Sequence, residues 1–230
     1  LVDLSFDSHH NRGIQEISRM RGIFDLLNSG AWNCFDRFFS DLRSKECGLR
    51  WAFMSIVTKT GDKGQTRLMF NRETAKHDPR VDAYGAIDEF NAALGVVRAH
   101  RGTPVELKKR ALDVQKDLIG VMGEVSTPSD SVEKYRSAGY ASLSEADVSE
   151  VEQRIGVLEA ELGPFNDWCL PGGSEAGSLA DWARTVCRRA ERSVCQLHAV
   201  EPLSNESIIV YLNRLSDWLW LEARALDRAG

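Results

Sequence analysis

Three arginines spaced four residues apart, Arg184, Arg188 and Arg192, stand within the run Ala183–Arg192. On a helix that spacing stacks them on one face as a cationic row, with Arg189, Ala190 and Glu191 completing the same turns. Guanidinium forks bind phosphate oxygens bidentately, so the row suits a polyphosphate; by itself it equally fits a solvated basic helix edge. The glycine turn Leu170–Ser174 precedes the row and opens its helix.

Three further segments carry groups of the same kind. In Thr58–Thr66, Gly61 and Gly64 stand among Thr58, Lys59, Thr60 and Thr66, with Arg67 next in the chain. Two glycines let successive backbone N–H groups face an anion, and Lys59 and Lys76 add positive charge at the rim. The GxxxxGK[ST] spacing of a Walker loop is absent, and the composition alone also describes a surface turn. The segment Asp78–Asn91 contains Asp88, and Tyr211–Asp217 contains Asn213, whose amide both donates and accepts. Trp168 lies three residues before Pro171. Taken singly, Asp88 reads as a solvated acid, Glu191 as a partner for a nearby arginine, Asn213 as a solvated helix amide and Trp168 as core packing.

Taken together, the four segments closely resemble the PduO-type ATP:corrinoid adenosyltransferases, in the family's order and at its usual separations, from about Ser55 to the end of the chain. The resemblance implies a five-helix bundle assembled as a homotrimer with active sites between subunits. It implies transfer of the 5′-deoxyadenosyl group of ATP to cob(I)alamin, giving adenosylcobalamin and triphosphate. Thr58, Lys59, Thr60, Gly61, Thr66, Arg67 and Lys76 would grip the triphosphate, and Arg188, Arg189, Ala190, Glu191, Arg192 and Asn213 would contact the nucleotide. Glu191 would either orient an arginine or help hold Mg²⁺ through water. Asp88 and Arg184 would pair across the subunit boundary, and Trp168, where relatives usually carry phenylalanine, would crowd the lower face of the corrin. Asn71 replaces a frequent glycine, which asparagine's tolerance of left-handed geometry accommodates. Asp181 replaces a common histidine, a change the sequence does not explain. A Co(II) reductase and an adenosylcobalamin-dependent enzyme are the implied partners. The rival reading is a non-catalytic trimer that binds ATP or adenosylcobalamin as a carrier or sensor.

The whole chain of 230 residues is acidic, with 29 basic and 34 acidic side chains giving a formal charge of -5. That balance argues against nucleic acid as a bulk partner and makes the arginine row a local anion site. No apolar run is long enough for a bilayer span, so no membrane partner is expected. Five cysteines without CxxC spacing point away from a zinc site or a disulfide framework and toward a reducing cytoplasm. Residues 1–53 lie outside the resemblance and carry seven acids and seven bases. They read as an N-terminal extension of uncertain status, their acids counting against a transit peptide. Met54 resembles the natural first residue of a bacterial relative, so 54–230 reads as the adenosyltransferase domain.

Helices must position these groups. Tyr84, Ile87, Asn91, Leu94 and Val97 mark one helical stripe, and Leu107, Ala111, Val114, Leu118, Val121 and Val125 mark a second. Ser126–Ser142 reads as a loop. Ser144 and Asp147 form a capping signal for a helix bearing Val148, Val151, Ile155, Leu158 and Leu162, ended by Gly163 and Pro164. A long helix then runs from the glycine turn to about Val200. Pro202 separates it from a last helix, capped by Ser204, with Ile208, Tyr211, Leu215, Leu219 and Ala223 inward. Strand-like alternation is confined to Ile56–Thr58. The fold class expected is all-α.

Overall fold

The computed structural model describes Lys59 and residues 61–229. The extension 1–53, the short strand expected at Ile56–Thr58, and the candidates Thr58 and Thr60 lie outside the described residues. Among the described residues six α-helices follow one another: α1 (Pro79–Ala99), α2 (Val105–Val125), α3 (Val132–Ser137), α4 (Glu145–Leu162), α5 (Glu175–Val200) and α6 (Ser207–Ala229). Five are long, and α3 is a short helix of six residues inside the segment expected to be loop. A two-stranded antiparallel hairpin, β1 (Gln65–Arg67) and β2 (Glu73–Ala75), precedes them. All-helical architecture is therefore correct for the body of the chain, with the hairpin as an addition the alternation pattern did not signal.

Local chemistry sets the helix ends. Asp78 caps α1 by accepting from the Arg80 N–H at 2.8 Å, and Pro79 supplies a first residue that needs no helical donor. Ser144 and Asp147 form the expected reciprocal capping box on α4, and Gly163 ends that helix with φ 67. Ser174 caps α5 by accepting from Gly177 N–H at 2.9 Å. At α6 the expectation shifts by one residue: Asn205, not Ser204, accepts from the first helical N–H, that of Ser207.

The predicted stripes form the core. The second stripe is buried throughout, and on α6 Ile208, Tyr211, Leu215, Leu219 and Ala223 are each at most 1% exposed. Phe90, Ile87, Leu94, Leu118 and Trp218 join them. Each such large apolar side chain contributes roughly 1.5–3 kcal/mol through burial, which is what holds marginal isolated helices in register. α5 packs between α1 and α6, α2 packs on α1, and α4 lies against α6. Arg80 to Glu201, Glu89 to Arg189 and His100 to Glu175 pair along the α1–α5 seam, so the two helices run antiparallel. Arg80 is buried and also donates to the Val125 and Thr127 carbonyls at 2.6 and 2.8 Å, tying the end of α2 to that seam.

Candidate functional site

The arginine row is real, and its members differ in circumstance. Arg184 is half-buried and donates from Nε to Asp181 Oδ1 at 3.0 Å. Arg189 is exposed and paired with Glu89 of α1. Arg188 and Arg192 are exposed and have no acidic partner among the described residues; Arg192 donates to the Arg188 carbonyl at 3.0 Å. Ala190 beneath them is fully buried, and its small side chain lets α5 seat in the core. Two guanidinium groups one turn apart, without acidic partners among the described residues, could take an anion between them.

Glu191 and Asn213 are brought together. Asn213 Nδ2 donates to Glu191 Oε1 at 3.1 Å, and Arg214 donates to Asn213 Oδ1 at 3.0 Å. Arg214 in turn holds Glu152 of α4 at 2.8 Å, so a polar chain crosses from α5 through α6 to α4. Glu191 thus bonds an amide within its own chain, where the sequence suggested an arginine. Beside it Cys187 is buried and donates to the Leu212 carbonyl. Burial first, with the Glu191 carboxylate adding to it, pushes that thiol well above its ordinary range, so it remains protonated packing. Among the described residues no group of three or more histidine, cysteine, aspartate or glutamate side chains could hold a metal ion.

The glycine loop folds as a cradle for Lys76. A Cβ added to Gly61 would stand 3.0 Å from Lys76 Nζ, so glycine leaves room for the ammonium group to lie close over that backbone. The Lys76 N–H bonds the Gly64 carbonyl at 2.8 Å, closing the loop onto the end of β2. Lys59 is exposed with φ 59. Thr66 hydrogen-bonds the Tyr84 hydroxyl, whose pKa is raised mainly by its burial on α1. Arg67 donates to Asn71 Oδ1 at 3.3 Å, and Asn71 sits at φ 64, the left-handed geometry that its side chain tolerates. Its neighbour Phe70 adopts φ 59 beneath the Lys134 ammonium group.

Asp88 is exposed on α1 with no ion pair among the described residues, and the antiparallel seam sets it level with the Arg188–Arg192 turn. Within one chain it does not meet Arg184, which is occupied by Asp181. Trp168, for which core packing was the alternative, is 96% exposed in the loop 163–174, and Leu170 beside it is 81% exposed. The indole and the leucine are thus displayed to solvent together on this loop.

Sequence reasoning missed a buried ionic cluster next to this loop. Asp181 and Arg224 are 3% and 4% exposed and are ion-paired, and Arg224 also reaches Asp227 at 3.1 Å. The cluster gives Asp181 its account: the carboxylate is shared between Arg184 and Arg224. The available signal was faint, an arginine four residues after Trp220 and flanked by Ala223 and Ala225 on the inward side of the helix.

Comparisons with known proteins cover the same stretch of the chain. The cobalamin adenosyltransferase family model matches residues 56–226. A cobalamin adenosyltransferase of Cupriavidus metallidurans is 38% identical over 175 residues, covering 76% of this chain and 89% of the relative. A corrinoid adenosyltransferase of Bacillus subtilis is 39% identical over 177 residues, covering 76% and 87%. Among solved structures, a variant PduO-type ATP:corrinoid adenosyltransferase from Lactobacillus reuteri, complexed with cobalamin and ATP, superposes with a TM-score of 0.69. It is 32% identical and covers 76% of this chain and 94% of its own. With motifs, fold and overall likeness in agreement over the same stretch, the chain belongs to the cobalamin adenosyltransferase family.

Proposed function

We propose that this protein transfers the 5′-deoxyadenosyl group of ATP to cob(I)alamin, giving adenosylcobalamin and triphosphate. The observation that carries the reading is the pair of exposed guanidinium groups, Arg188 and Arg192, unmatched by acid among the described residues on a helix of an acidic protein. The reaction needs such groups because triphosphate leaves: the Co(I) electron pair of the corrinoid substrate forms the bond to C5′ as the C5′–O bond breaks. Cations fixed where negative charge develops lower that barrier. Orientation and exclusion of water are the remaining tasks of the chain, since the corrinoid brings its own nucleophile.

The residue roles are those the family resemblance implies. Lys59, Gly61, Thr66, Arg67 and Lys76, together with Thr58 and Thr60, hold the triphosphate. Arg188, Arg189, Ala190, Glu191, Arg192 and Asn213 line the nucleotide, with Glu191 steadying Mg²⁺ through water. Arg189 must exchange Glu89 for phosphate, which a pair exposed on both sides allows at little cost. The exposed ring of Trp168 covers the lower face of the corrin.

The protein acts as a homotrimer, in which Asp88 of one subunit meets Arg184 of the next and each active site is shared. Support comes from Asp88, exposed and without an ion-pair partner among the described residues. Residues 54–230 constitute the catalytic domain and 1–53 an extension to it. No described helix is long and apolar enough to cross a membrane. Cytoplasmic location, a Co(II) reductase and an adenosylcobalamin-dependent enzyme as partners complete the proposal.

One anaerobic assay tests it: protein, ATP, Mg²⁺ and chemically reduced cobalamin should yield the adenosylcobalamin spectrum and an equimolar amount of triphosphate. ATP binding without either product would leave the carrier reading in its place.

A further inference from the structure

Trp220, Arg224, Asp227 and Arg228 stand at i, i+4, i+7 and i+8 on the last turns of α6, and therefore share one face. All four meet the segment that links α4 to α5. Arg228 donates to the Leu162 carbonyl at 2.6 Å and lies over the Phe165 ring at 5.1 Å. Phe165 meets Trp220 edge-on, with ring centroids 4.7 Å apart. Arg224 Nη1 donates to the Cys169 carbonyl at 3.3 Å, and Asp227 Oδ1 accepts from the Ser174 hydroxyl at 3.1 Å. That carboxylate lies so close to the start of α5 that a Cβ on Gly177 would stand 2.1 Å from it, and one on Gly173 would stand 2.7 Å from its Cγ. The loop is thus anchored at its beginning, middle and end, all on one helix face.

The central anchor is distinctive. Cys169 is flanked by Trp168 and Leu170, both turned to solvent, so the carbonyl that Arg224 holds is the one between the two displayed side chains. Arg224 is also the hub of a neutral four-charge cluster, Arg184–Asp181–Arg224–Asp227, that reaches back into the arginine row. Its Nε is buried without a hydrogen-bond partner, an expense that a purely apolar contact would have avoided.

We infer that Arg224 is a positioning residue for the transfer reaction: its buried guanidinium group fixes the Cys169 carbonyl, and with it the orientation of Trp168 and Leu170 toward the corrinoid substrate, in register with Arg184 of the arginine row. The inference rests on the adenosyltransferase reading above. It extends that reading from the residues that touch substrate to a side chain that does not. A lysine at this position keeps the charge opposite Asp181 and Asp227 but cannot span both carboxylates and the Cys169 carbonyl at once, because it has no planar fork.

The test uses the full chain carrying Arg224→Lys. Hydrogen exchange of the amides in 163–174 should accelerate, and the cobalamin concentration for half-maximal rate should rise about 10- to 100-fold, as for a small misplacement of a contact group. ATP affinity measured without corrinoid should stay within about twofold, since Arg188 and Arg192 are untouched. Unchanged loop exchange in the folded variant overturns the inference. So does parallel loss of ATP and corrinoid affinity, the mark of general destabilisation, and so does faster exchange with no change toward cobalamin. If Arg224→Lys does not fold, Asp227→Asn loosens the same cluster from a partly exposed position and must shift exchange and cobalamin dependence in the same direction. A wild-type protein that makes no adenosylcobalamin would instead remove the catalytic reading, and loop exchange would still decide whether Arg224 holds Cys169.

Discussion

Asn213 and Glu191 hold each other across the α5–α6 seam, amide nitrogen to carboxylate oxygen at 3.1 Å. The contact fixes the carboxylate one residue from Arg192 while leaving its second oxygen for water or cation. Glu191→Gln preserves an acceptor for Asn213 and removes the charge, so it separates the two roles. The Mg²⁺ concentration for half-maximal activity is expected to rise about tenfold, the usual scale for outer-shell groups, with thermal stability unchanged. A magnesium titration of the variant decides; an unaltered Mg²⁺ profile would confine Glu191 to orienting its neighbours.

Arg188→Ala and Arg192→Ala each remove an exposed guanidinium group that has no acid to leave behind. Stability should therefore hold within about 0.5 kcal/mol. Loss of a charge-assisted bond to phosphate costs about 1.5–3 kcal/mol, so the KM for ATP should rise roughly 10- to 100-fold and turnover should fall. Steady-state kinetics with near-wild-type constants for both variants would sink the assignment of the row.

Asp88→Ala alters only a solvated side chain of the single subunit. Its effect should appear in assembly: sedimentation should show dissociation at concentrations where wild type is trimeric, with activity lost in step. Arg184→Ala should act in the same direction and also destabilise the subunit, because Asp181 loses one of its two arginines. A monomeric wild-type protein at assay concentration would end the shared-site model.

Trp168→Ala should leave thermal stability unchanged, since a ring 96% exposed contributes little to the subunit core. If that ring covers the lower face of the corrin, activity starting from Co(II) with a weak reductant should collapse. Much of the rate should return when Co(I) is generated beforehand. The absorption spectrum gives an independent readout: wild-type protein with ATP should convert bound Co(II)alamin partly to a four-coordinate form, and the variant should not.

Glu201 supplies a pH dependence of known sign. The Arg80 guanidinium group, first, and then the Ser129 hydroxyl hold its carboxylate below the ordinary value of 4.5. A depressed pKa means that the stabilisation is complete above 4.5 and is lost as pH falls through the lower folded-state value. Glu201→Gln should therefore lower Tm at pH 6 and converge with wild type toward pH 3. Melting curves that stay a constant distance apart would assign the effect to packing.

The five long helices and the charges along them were legible in the sequence; the short helix Val132–Ser137, inside a segment read as loop, was not. Stripes such as Leu107 to Val125 and Ile208 to Ala223 repeat at 3.6 residues, a local property, and the capping pair Ser144 and Asp147 acts within one turn. The arginine row was legible for the same reason: four-residue spacing defines a helix face without reference to anything distant. Only the tertiary structure decided which charges are free. Glu89 reaches Arg189 from 100 residues away and Asp181 takes Arg184, whereas Arg188 and Arg192 have no acidic partner among the described residues. The hairpin escaped notice because three-residue strands carry no alternation to read; its pairing depends on the turn at Phe70 and Asn71. Arg224 was invisible because its partners, Asp181 and Cys169, lie 43 and 55 residues away. Burial and ion pairing between distant segments are properties of packing, and no spacing rule along the chain encodes them.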